Sequence, residues 1–173
     1  MRGGVLLLVG LGLLFVQSSL FWVLGWVPFS GFTPSLILPM LVYMGVHEFS
    51  LSKGALIGFV LGYVLDLLAS APVGLFTFVS VATFVLARAA GVRLAVQHFI
   101  TQVPLAFAFS VVQSVMVLVL LAIFDANPHG ARQMIALVVP HAVGTALVSP
   151  IIFRLTAKLH HTRGASLRMD RMQ

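Results

Sequence analysis

Asp66 is the one acid that falls inside an apolar run of this sequence. A carboxylate in that setting has three uses: it can sit against the positive amino-terminal end of a following helix, meet a polar group on a partner, or carry a proton or ion. It lies about four residues before the turn at Ser70–Ala71–Pro72, roughly 6 Å along a helix axis, where water is close, so the structural use leads. His141 lies roughly 12 Å below the same outer face, within the last apolar run. Its imidazole titrates near neutrality and could meet Asp66 at similar depth. The plainer reading is a neutral ring bonded to a backbone carbonyl beside Pro140, whose missing N–H leaves one free. Gln113, with Ser110 and Ser114, offers hydrogen bonds between helices or a contact to a ligand. Asp66, Gln113 and His141 thus form the candidate intramembrane polar site.

Catalytic chemistry finds little else to work with. His47 and Glu48 are adjacent, so on a helix they point about 100° apart and make no metal pair. His160 and His161 lack third and fourth ligands. There is no cysteine, and so neither a disulfide framework nor a thiolate metal site. No phosphate-cradling loop, nucleophile elbow or acid pair is present. The expectation is a protein that is not an enzyme and holds no cofactor or metal.

The elements that position these groups are apolar helices. Of 173 residues, 60% are hydrophobic and 8% charged, too few charges to cover a soluble surface. The mean hydropathy of +1.11 fits hydrocarbon as the solvent. The net charge of +6 would point to nucleic acid in a soluble protein, but its distribution along the chain points to a membrane surface, and no nucleic-acid partner is expected. The central stretch is Gly54–Gly74, where Gly54, Gly58, Gly62 and Asp66 recur every four residues. They share one helical face, bare of bulk, against which a neighbouring helix can lie closely. Whether that neighbour is internal or foreign is left open by spacing, with internal the safer choice. Ser70 and Pro72 then suit the start of the next helix.

Six spans follow from the hydropathy pattern, at about 4–24, 34–46, 54–69, 73–90, 102–124 and 133–153. The first has the outline of a signal peptide but no clear cleavage site, and reads as a retained helix. Trp22 and Trp26 fit an interfacial aromatic belt. The second is short and carries Pro39, so it crosses with little tilt or is re-entrant. Asp125–Arg132 reads as a loop. With six spans, Arg2, Lys53, Arg88, Arg93, Arg154, Lys158, Arg163, Arg168 and Arg171 share one side and Arg132 alone lies opposite. The basic side is cytoplasmic, and so are both termini. The expected organisation is a membrane domain, 1–155, and a basic cytoplasmic tail, 156–173. Basic residues from Arg154 onward would meet anionic headgroups, at about 1 kcal/mol each, or a cytoplasmic protein.

Leu41-Val42-Tyr43, the Gly54/Gly58/Gly62/Asp66-Leu67-Leu68 series and Ser70-Ala71-Pro72-Val73-Gly74-Leu75 together resemble the rod shape-determining MreD family. Length, span plan and basic carboxyl end agree over nearly the whole chain; the motifs lie between Pro34 and about Arg88. Gly62, Asp66, Pro72 and Gly74 occupy the matching positions. Ser35 stands where the family often places an acid or amide, and Val73 where leucine is usual. The resemblance implies a non-enzymatic bacterial inner-membrane scaffold of cell elongation. Its implied partners are MreC, RodA, a penicillin-binding transpeptidase and MreB. It also implies an all-α fold similar to the S components of ECF transporters. A rival from another class is a small-molecule (vitamin-like) binding subunit of a transporter, with Asp66, Gln113 and His141 around an outer-half site.

Overall fold

The structure, a computed structural model, describes residues 2–24, 34–47, 50–69, 72–90, 99–124 and 128–161. These form six α-helices and no strand: α1 (Arg2–Leu24), α2 (Ile37–His47), α3 (Leu51–Ala69), α4 (Leu75–Ala89), α5 (Phe99–Phe124) and α6 (Pro128–His161). By length and composition, Leu51–Ala69, Thr101–Phe124 and Ile135–Lys158 can each cross a membrane. The described apolar parts of the other three, Gly4–Ser19, Ile37–Val46 and Leu75–Ala89, are shorter. The 11 residues of α2 reach only about 16 Å, roughly half of a hydrocarbon core.

That short helix is the centre of the molecule. Every residue from Pro34 to Val46 is buried, and each of the other five helices packs against it. A helix apolar on all sides has to be surrounded on all sides, and Ile37-Leu38-Pro39-Met40-Leu41-Val42-Tyr43-Met44 has no polar face to turn outward. One side of α2 (Ile37, Met40, Leu41, Met44) joins Leu14, Ile57, Leu61 and Phe84 in one core cluster. The other (Leu38, Val42, Tyr43, Val46) joins Ala87, Ala106 and Phe153 in a second. Pro39 falls in the first turn, where a helical N–H has no partner within the helix, so the ring costs α2 nothing there.

Around α2 stand two hairpins, α3–α4 and α5–α6, with α1 lying on α3. The register follows from side-chain contacts. A Cβ on Gly54 would meet the Phe84 ring, and one on Gly62 would meet Thr77, so α3 and α4 run antiparallel. A Cβ on Gly45 would meet Ala87 and Arg88, while Ser35 bonds Thr145 and the Tyr43 ring lies 6.3 Å from that of Phe153. The carboxyl end of α2 is therefore level with Arg88, and its amino end with Thr145. From there α6 continues outward toward Pro128, and α5 pairs with it. Phe124, Ile123, Ile135 and Val139 on this outer part are exposed.

Two boundaries differ from expectation. The loop expected over Asp125–Arg132 is helical from Pro128 onward, because proline at a first helical position gives up no hydrogen bond and brings its φ already set. At the other end α6 runs unbroken past residue 155 to His161; Arg, Leu, Ala and Lys are good helix formers, and their charge does not stop a helix. Pro150 leaves the Ala146 carbonyl without its usual N–H, and the Ser149 hydroxyl donates to that carbonyl instead at 2.7 Å. The Trp22 side chain, Trp26, the loop Gly25–Thr33, most of the connector Gly91–Thr101, and residues 162–173 lie outside the described residues.

Candidate functional site

Asp66 stands on the last turns of α3 and is 2% exposed. Its Oδ2 accepts from the Gly74 amide at 2.9 Å, the Thr77 amide at 3.1 Å and the Thr77 hydroxyl at 2.6 Å. Its Oδ1 accepts from the Phe76 amide at 2.7 Å. An ionised carboxylate offers about four acceptor directions, and all are taken. The donors explain the arrangement. The first amides of any helix lack intrahelical partners, and α4 begins at a glycine that has no side chain to cap them. Gly74 has φ 101° and makes no side-chain cap. The Leu75 amide donates to the Pro72 carbonyl at 3.1 Å and the Phe78 amide to Gly74 at 2.9 Å; Asp66 receives the remainder. A cap normally supplied by the residue at the helix start is supplied from the preceding helix. The negative charge also lies at the positive end of the α4 dipole.

Gly74 is needed here for its conformation. Nothing stands within 4 Å of a Cβ built on it, but its φ lies in the left-handed region. Gly74→Ala is expected to cost about 1–2 kcal/mol from that backbone strain alone. Gly74→Asn should cost less, because asparagine visits the left-handed region more readily. Thermal unfolding in detergent would rank the two; equal losses would mean that φ is not the reason for the glycine.

The glycine series is not uniform. Gly54, Gly58 and Gly62 are all buried on α3, facing α4 of the same chain. An added Cβ at Gly62 would lie 2.6 Å from the Thr77 Cα and 2.7 Å from the Phe76 carbonyl oxygen. At Gly54 it would meet the end of the Phe84 ring, and at Gly58 only ordinary contacts, Leu41 at 3.5 Å and the Ser80 carbonyl at 3.7 Å. Gly45 on α2 is a close approach that spacing did not reveal, 2.8 Å from the Phe84 carbonyl. A single glycine in a short apolar helix carries no periodic signal.

His141 and Gln113 belong to another layer. Thr145, fully buried, donates its hydroxyl to the His141 carbonyl at 2.9 Å and accepts the Ser35 amide at 3.0 Å. The Leu36 amide donates to the Gln17 Oε1 at 2.9 Å, and the Leu38 amide to the Ser35 hydroxyl at 3.4 Å. The amino end of α2 is thus satisfied by side chains of α1 and α6 as well as its own Ser35. Gln113 is half-buried, and its Oε1, like the Ser110 hydroxyl, is a buried oxygen without a hydrogen bond among the described residues. The expected pairing of Asp66 with His141 is replaced by the bonds to Gly74, Phe76 and Thr77, which already fill the carboxylate. Gln17, Ser35, Thr77 and Thr145 were not singled out from sequence. Ser35, three residues before Leu38 at the head of an apolar run, carried the one available signal, that of a helix cap.

The polar groups of this bundle thus hold helices to one another. No group of three or more metal-binding side chains occurs among the described residues. No protein-family model, curated protein or solved structure matches the chain.

Proposed function

We propose that this protein is a non-enzymatic scaffold of the bacterial inner membrane, an adaptor in the cell-elongation machinery that docks MreC and, with it, RodA, a penicillin-binding transpeptidase and MreB. The observation that supports it is the allocation of polar groups. Asp66, Thr77, Ser35, Gln17 and Thr145 are all engaged within the chain, and large apolar side chains such as Leu56, Phe59, Leu67 and Val85 face outward. Such a molecule presents shape to its surroundings rather than reactive groups. The resemblance of the Gly62/Asp66/Pro72/Gly74 pattern to the MreD family supplies the machinery. In this reading all six helices cross or enter the bilayer with both termini inside. Lys53, Arg88, Arg154 and Lys158 sit toward the cytoplasmic end of the bundle, as the positive-inside rule requires. Since α4 covers the glycine face, the docking surface for MreC lies on outward apolar faces such as that of α3.

The test is depletion in a rod-shaped host together with affinity purification from its membranes. Rounded cells and recovery of MreC with the protein are expected. Unchanged rods, with a metabolite bound one-to-one in the purified protein, would replace this reading by the transporter-subunit one.

A further inference from the structure

Beyond Phe153, α6 carries two cations one turn apart, Arg154 and Lys158, both exposed. Like charges at this spacing repel on a bare helix surface. The one acid among the described residues, Asp66, is at the far end of α3 and already filled. The pair also ends a longer stripe. Val143, Leu147 and Ile151 lie on the same face as Arg154 and Lys158 and are exposed, while the opposite face, Ala142, Thr145, Ser149, Ile152 and Thr156, is buried in the bundle. From Val143 to Arg154 the stripe is about 16 Å long at the helical rise, close to one leaflet of a hydrocarbon core about 30 Å thick.

We infer that this outward face of α6 is a binding site for one anionic phospholipid of the cytoplasmic leaflet. The phosphate lies between the Arg154 guanidinium and the Lys158 ammonium, and an acyl chain runs along Ile151, Leu147 and Val143. A phosphate between the two cations turns their repulsion into a shared attraction, and arginine adds a paired hydrogen-bond geometry suited to phosphate oxygens. The apolar stripe selects a lipid over a free phosphate. This site sharpens the general attraction of the basic end to headgroups and rests on the cytoplasmic placement of that end; it needs no elongation partner.

Native mass spectrometry of the full chain, released from bilayers of equal phosphatidylglycerol and phosphatidylcholine, tests it. The wild type should retain one phosphatidylglycerol. R154Q/K158Q should retain about thirtyfold less, at about fivefold for each basic residue near the surface, with an unchanged melting temperature in detergent. Ile151→Asn should also reduce retention, and added glycerol phosphate should not compete. Full retention by R154Q/K158Q overturns the site. If R163Q/R168Q/R171Q then loses the lipid, headgroup binding belongs to the last residues of the chain. If no variant prefers phosphatidylglycerol, headgroup binding fails too. Competition by glycerol phosphate would make it a phosphate site and overturn the lipid assignment.

Discussion

Asp66→Ala is expected to lower stability by about 3–5 kcal/mol, the largest effect of any single side-chain truncation in α3, because each buried donor left without an acceptor costs about 1–3 kcal/mol. Three amides and a hydroxyl lose their acceptor together. The Thr77 hydroxyl can turn to a backbone carbonyl, which keeps the total below the simple sum. Asp66→Asn retains one oxygen but presents an amino group to donors, and should fall between the wild type and alanine. The measurement is unfolding in mixed micelles, with separation of α3 from α4 followed by a crosslink or fluorophore pair. A loss under about 1 kcal/mol would be that of a water-exposed acid, and would remove the claim that Asp66 caps α4.

The glycines give the second large effect, and here the sign is the test. Gly62→Ala should destabilise by about 2–3 kcal/mol, since overfilling a packed contact costs about that much and the obstructing atoms are backbone. At 2.6 Å from the Thr77 Cα, the new methyl can be accommodated only by moving α4. It would also pull Thr77 away from Asp66, so the two losses should be less than additive in the double variant. Gly58→Ala, with its nearest neighbour at 3.5 Å, should be neutral or stabilising by up to about 1 kcal/mol from helix propensity. Gly54→Ala belongs between them: its neighbour is the end of a ring, but Phe84 is fully buried and has little room. Equal losses at Gly58 and Gly62 would show that the α3–α4 contact is looser than described.

Much of this layout could be read from residue order, and the reason is local. Gly54, Gly58, Gly62 and Asp66 lie on one helix, and their main contacts lie on the next, a few residues beyond a turn. Spacing along a helix and the turn that follows it are both written in adjacent residues. The layer at the start of α2 was not readable, because Ser35 and Thr145 are 110 positions apart. No periodicity connects such a pair, and serine or threonine in an apolar run is most simply read as bonded to its own helix. Thr83 and Thr156 are bonded in that way. Gly45 was missed for want of a repeat. The end of α6 was misread because a run of basic residues was taken for a tail, although Arg154-Leu155-Thr156-Ala157-Lys158 contains nothing that breaks a helix.

The enclosure of α2 has a consequence for how the protein is made. Translation delivers its second helix early, but the hydroxyl that accepts the Ser35 amide is synthesised near the end, on the last helix. Until then Ser35 must borrow a substitute, from water or from the insertion machinery, since bare amides are not tolerated in lipid. A ribosome stalled before residue 145 should therefore hold a nascent chain whose α3 and α4 are already paired while α2 still waits for its last neighbour.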